Sequence, residues 1–111
     1  MDRLVNAIGN SFIGLKSTFI SEAAFRQEVV LFLVLTPMAM RLGSDHGERA
    51  LLVFSLMLVL IVELLNTGLE AVVDRIGPEI HPLSKKAKDI GSAAVFLSLL
   101  NAAVIWGLVL G

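Results

Sequence analysis

The segment Ile90–Gly111 carries no charged residue, and at about 1.5 Å per residue it is long enough, as a helix, to cross the roughly 30 Å of hydrocarbon in a bilayer. A second block, Ala50–Val73, is as long and is interrupted only by Glu63 and Glu70 among charged groups. A third, Val29–Met40, is shorter, but it crosses if its helix starts near Ala23 and if Arg26 and Arg41 extend their charges outward along their stems. Pro37 lies near its far end, where it kinks rather than ends the span. The composition agrees, since 56% of the residues are hydrophobic, 17% are charged and the mean hydropathy is +0.83. A water-soluble domain of 111 residues could not bury that much apolar surface. The bilayer is the expected solvent and the expected architecture is all-α: one membrane domain over residues 1–111, with spans at about 24–42, 50–73 and 88–110.

The apolar residues ahead of the first span, Val5, Ile8, Phe12, Leu15 and Phe19, recur at steps of three and four, with Arg3, Asn6, Asn10 and Ser17 largely elsewhere around the helix. That spacing predicts an amphipathic helix over about 4–21, lying on the membrane surface. Asp2, Arg3, Asn6, Asn10 and Ser11 break up any apolar core of the kind a secretory signal requires. Gly43–Glu48 reads as a polar turn, Asp74–Asp89 as a polar connection, and Ala94, Ser98 and Ala102 as a small-residue face for close helix approach. Arg3, Lys16, Arg26, Arg75, Lys85, Lys86 and Lys88 fall on one side of a three-span arrangement, and Arg41 and Arg49 on the other. The positive-inside bias therefore puts the N-terminus and the second connection in the cytoplasm.

Acidic side chains inside a span cost about 3 kcal/mol each on insertion scales, so they mark function by default. On a helix, Glu63, Asn66, Glu70 and Asp74 fall within roughly 80° of one another. They form a polar stripe about 16 Å long, running from inside the apolar block to its cytoplasmic boundary. Carboxylates crowded on one face repel one another or take up protons unless a cation sits among them. With no cysteine in the chain and His46 and His81 as its histidines, the donors are hard oxygens, which suit magnesium better than zinc. Magnesium usually accompanies phosphates, and a carboxylate left unligated is placed to act as general base toward a hydroxyl. The bland alternative is a buried polar network that pins helix packing. Gly9–Ser17 approaches a phosphate-binding loop, but Leu15 stands where the lysine belongs and no strand precedes it. A net charge of −1 and a pI of about 6.1 leave no nucleic-acid footprint.

EAAFRQE at 22–28, VELLNTGLEAVVDRIG at 62–77 and HPLSKKAKDIGSAAV at 81–95 closely resemble the signature stretches of bacterial diacylglycerol kinase, at the same mutual spacing. The likeness runs from about Arg3 to Trp106. The resemblance implies three inner-membrane spans behind a surface helix, a homotrimer with active sites between subunits, and transfer of the γ-phosphate of ATP to diacylglycerol. It further implies that Glu63 is the catalytic base and that Glu22 and Glu70 hold magnesium on the ATP phosphates. Asn66, Asp74, Lys88 and Asp89 would surround the nucleotide, with Glu79, Ile80 and His81 nearer its base and sugar, and Arg3 and Asn10 reaching it from the surface helix. Arg3, Ser11, Ala24, Phe25, Arg26, Gln27 and Glu28 would border lipid and phosphates, and Ser92 and Trp106 would line the lipid side. Asn10 and Ile13 depart from the family pattern, which places an aromatic and a lysine there. Without the resemblance, Trp106 reads as an interfacial anchor at the outer face.

Two other functions share parts of this pattern. An undecaprenol kinase has the same fold and acts on a longer lipid alcohol. A small proton-coupled transporter also uses intramembrane carboxylates, but it calls for one isolated acid per helix rather than a stripe beside a Lys-rich connection.

Overall fold

The computed structural model describes residues 2–77 and 80–111, which form four α-helices: α1 (Asp2–Ser21), α2 (Ala23–Leu42), α3 (His46–Ile76) and α4 (Pro82–Leu110). No strand occurs among the described residues. The last three helices are each long and apolar enough to cross a membrane, so the chain is a three-span membrane protein.

α3 is the central element, packed most extensively on α4, then on α2, and only lightly on α1. Its buried residues Leu52, Ser55, Leu56, Val59 and Glu63 step by three and four, so they form one face. Glu63 thus continues the stripe that builds the core. Elsewhere the chain shows its apolar side chains outward, with Leu65 70%, Val72 60% and Phe96 56% exposed. In a bilayer such faces meet lipid or another subunit rather than water.

Two helices start ahead of the expected spans, and both extensions trace to capping. α3 begins at His46 rather than near Ala50, because the Asp45 carboxylate accepts from Glu48 N and Glu48 Oε1 accepts from Ser44 N, each at 2.8 Å. α4 begins at Pro82, well before the apolar pattern starts, because His81 Nδ1 accepts from Leu83 N at 3.1 Å and proline is favoured in a first turn where its missing N–H is no loss. The polar connection is therefore only Gly77–His81, with Asp74 on the last turn of α3 and Lys85, Lys88 and Asp89 on α4.

The packing face of α4 is also rotated from the one expected. Ala94 is exposed, while Gly91 and Ser98 are buried and Val95 and Ala102 half-buried. A strict four-residue repeat drifts by about 40° per step against a 3.6-residue helix, and the observed contact line keeps the helical period instead.

Candidate functional site

Glu63 lies on the packed face of α3 and is 7% exposed. Three further carboxylates surround it electrostatically: Glu22 and Glu70 bear directly on Glu63, which in turn bears on Glu28. None of these four has a basic partner among the described residues, whose two ion pairs lie elsewhere.

Glu22 reaches the cluster through a break in the chain. It is the residue between α1 and α2, with extended backbone (φ −113, ψ 110) and a side chain that caps neither helix, which leaves its carboxylate free. Arg26 stabilises the break, its Nη1 donating to the carbonyls of Phe19 at 2.8 Å and Ile20 at 2.7 Å. Those carbonyls end α1 and have no partner within the helix, so a guanidinium is a suitable cap. Glu28, six residues beyond Glu22, is half-buried, and its Oε2 has no hydrogen-bond partner among the described residues.

Next along the stripe, Asn66 Nδ2 donates to Glu70 Oε1 at 2.8 Å across one helical turn, while Asn66 Oδ1 is buried with no hydrogen-bond partner. Asp74 is exposed at the end of the stripe, where Lys88 Nζ of α4 meets its Oδ1 at 2.6 Å. Lys85 pairs with Asp89 at 2.7 Å along α4. These groups, with Val73, Gly77, Ile80, His81 and Ser84, line an open cleft of about 500 Å³, within the range of small-molecule sites. Ile80 is 97% exposed, and His81 has Nδ1 engaged at the α4 cap, so its Nε2 is the nitrogen available to a ligand. Glu79 lies outside the described residues.

The remaining predicted residues are spread more widely. Arg3 and Asn10 are exposed on α1. Ser11, whose Oγ donates to Ala7 O at 2.8 Å, lines a groove against Leu64, Thr67 and Ala71 of α3, a face rotated from the carboxylate stripe. Ala24 and Gln27 are exposed, and Phe25, 3% exposed, belongs to the core. Ser92 is exposed on α4, one turn beyond Lys88. Trp106 is tied into the bundle, its Nε1 donating to Ser55 Oγ at 3.2 Å and Leu52 O at 3.3 Å. Ser55 is eight residues from Glu63, about 12 Å along the helix, so the indole anchor is remote from the carboxylates.

Sequence reasoning overlooked Gly91. It is buried where α4 crosses α3, and a Cβ added there would overlap Asn66 Oδ1 and stand 3.2 Å from Asn66 Cγ and from Leu69 Cδ2. An isolated glycine inside a helical pattern signals such a packing reason.

Among the described residues, no three His, Asp or Glu side chains converge as a complete cation cage. A magnesium ion carried by phosphates needs only one or two protein carboxylates. Glu22 and Glu70, hard oxygen donors beside a third carboxylate and without basic partners, fit that requirement.

The sequence model of the family described as prokaryotic diacylglycerol kinase matches residues 9–110. The chain is 51% identical over 110 residues to the diacylglycerol kinase of Pseudomonas aeruginosa, covering 99% of this chain and 89% of that protein. It is 50% identical over 108 residues to that of Escherichia coli, covering 97% and 88%, and 45% identical over 105 residues to one from Helicobacter pylori, covering 95% and 82%. A buried carboxylate on a spanning helix, a polar stripe leading to a cleft lined by two lysine–aspartate pairs, and likeness along almost the whole sequence agree: the chain belongs to the prokaryotic diacylglycerol kinase family, whose members are membrane-embedded lipid kinases.

Proposed function

We propose that the chain transfers the γ-phosphate of ATP to the free hydroxyl of diacylglycerol at the cytoplasmic face of the inner membrane, forming phosphatidic acid and ADP, with Glu63 as the general base. The observation that carries this reading is Glu63 itself, a carboxylate 7% exposed on the core face of a spanning helix with no basic partner among the described residues. Such a group is costly unless it has a task.

In the reaction the lipid hydroxyl oxygen bonds to the γ-phosphorus, the bond between that phosphorus and the β,γ-bridging oxygen breaks, and the hydroxyl proton passes to Glu63. Glu70, held by Asn66, and Glu22 at the helix break would hold magnesium on the nucleotide phosphates. The metal, when bound, would neutralise phosphate charge. Lys88, now paired with Asp74, supplies a cation toward the phosphates, and the cleft bounded by Ile80, His81 and Asp89 accommodates the rest of the nucleotide. Glu28 and the start of α2 border the lipid headgroup. The excess of basic residues around α1 and the Gly77–His81 connection supports a cytoplasmic location for this end. The family resemblance carries the reading of a homotrimer with sites shared between subunits, and the exposed apolar faces leave surface for such contacts beside lipid.

The test is phosphoryl transfer from labelled ATP in mixed micelles, with diacylglycerol and undecaprenol compared as acceptors. The wild type is expected to label diacylglycerol preferentially. Glu63→Gln, which removes the base at nearly constant shape, should lower turnover by at least about a hundredfold with the helices retained by circular dichroism. Absence of transfer to either alcohol would overturn the kinase reading, and full activity of Glu63→Gln would remove Glu63 from the base role.

A further inference from the structure

We propose that Gly91 of α4 is a positioning residue, which by lacking a side chain holds the Asn66 amide in the one orientation that serves Glu70. Three observations converge on this. Asn66 Nδ2 donates to Glu70 Oε1 at 2.8 Å. Asn66 Oδ1 is buried with no hydrogen-bond partner. A Cβ on Gly91 would overlap that same oxygen.

In glycine a Cα hydrogen occupies the direction a Cβ would take, so the Gly91 Cα–H points at Asn66 Oδ1. That contact is weak, and it faces an oxygen that has no hydrogen-bond partner among the described residues. The reversed amide would set Oδ1 against Glu70, where an ionised carboxylate can only accept. It would also set the Nδ2 hydrogens where Oδ1 now meets the Gly91 Cα–H, donor against hydrogen. The amide is therefore locked from two sides, with acceptor Glu70 drawing the donor end and bare backbone accommodating the acceptor end. Glu70 in turn has one oxygen held, which orients the rest of the carboxylate. α4 thus contributes to the carboxylate cluster through a residue that donates no group to it.

This inference rests on the reading of Glu70 as a metal-holding residue for its kinetic consequence, but its geometric core can be tested without metal. Gly91→Ala should push the Asn66 amide aside. The magnesium concentration for half-maximal activity and the KM for nucleotide should rise on the order of tenfold, the cost usual for losing a group that orients a metal ligand. The KM for diacylglycerol should stay within about twofold, because the displaced amide lies on the nucleotide side.

The second measurement is equilibrium unfolding in micelles for Gly91→Ala, Asn66→Ala, Leu69→Ala and the two double variants that contain Gly91→Ala. In the native background Gly91→Ala should raise the unfolding constant about tenfold, as overpacking does. In the Asn66→Ala background it should change that constant by no more than about twofold, and if Gly91→Ala alone does not fold, the Asn66→Ala double variant should. Relief by Leu69→Ala instead, or by neither, would show that the glycine serves helix packing alone and overturn the proposal. An unchanged magnesium titration in a folded Gly91→Ala protein would overturn it too. If the wild type transfers phosphate to no lipid alcohol while Asn66→Ala still relieves Gly91→Ala, the kinase reading fails and the positioning of the amide stands.

Discussion

Replacing Trp106 by phenylalanine separates an anchor from a substrate contact. The indole N–H is shared between Ser55 Oγ at 3.2 Å and Leu52 O at 3.3 Å, at the long end for such bonds. Both acceptors sit on fully buried residues, so leaving them bare would cost about 1–3 kcal/mol. They are not left bare, because Ser55 Oγ itself donates to Leu52 O at 2.7 Å and remains in place. The loss is then close to that of one ordinary interhelical bond in a membrane, about 0.6 kcal/mol, with some added packing loss from the smaller ring. A total of about 1 kcal/mol corresponds to roughly a fivefold rise in the unfolding constant. Equilibrium unfolding in mixed micelles measures it directly. With the anchor about 12 Å along α3 from Glu63, kcat and the KM for lipid should be unchanged. A loss above about 3 kcal/mol would refute the view that Ser55 keeps its neighbour satisfied. Unchanged stability with a raised KM for lipid would show instead that the ring's main contact is with substrate.

Arg26→Ala removes both donors to the Phe19 and Ile20 carbonyls, so backbone amide exchange should accelerate several-fold at the end of α1 and across Glu22 while that of α3 stays constant; no change there would refute the capping role. Asp45→Ala removes the acceptor for Glu48 N, and a stability loss of about 1 kcal/mol is expected with kinetic constants preserved. A loss of turnover from Asp45→Ala under folded conditions would mean that the outer turn communicates with the carboxylates.

The four helices and the polar stripe were legible because they rest on periodicity, and periodicity in an apolar chain is a strong signal. Glu63, Asn66, Glu70 and Asp74 share a helix face by spacing alone, and α3 carries them in order from core to surface. The helices extend beyond the apolar spans because capping sets their starts: Asp45 with Glu48 and His81 with Pro82 are both helix-start signatures. The break at Glu22 falls between the expected surface helix and first span, but the side chain that stabilises it, Arg26, acts back across six and seven residues, a reach that no local rule describes. The Gly91–Asn66 contact joins two helices, so it depends on how α4 rotates against α3, and a shift of that face from Ala94 to Val95 was enough to hide it. Trp106 reads as an interfacial anchor from its neighbourhood and as a lipid-side residue from the resemblance, and its bond to Ser55, which joins two helices, lies beyond what local sequence describes.

Toward one extremity Ala39, Leu52 and Ser55 are completely enclosed, and the indole stitches two helices together. Toward the opposite extremity, beyond buried Val73, the end of α3 and the start of α4 flank an open cleft, crossed by the exposed Asp74–Lys88 pair. With the indole tie at one end and the Gly91–Asn66 contact partway along, the segments beyond Val73 behave like the short prongs of a fork: a small tilt at the joint becomes a larger separation at the tips. Reagents that stiffen the sealed end should therefore narrow the range of widths the distant mouth can adopt, without touching any group that lines it.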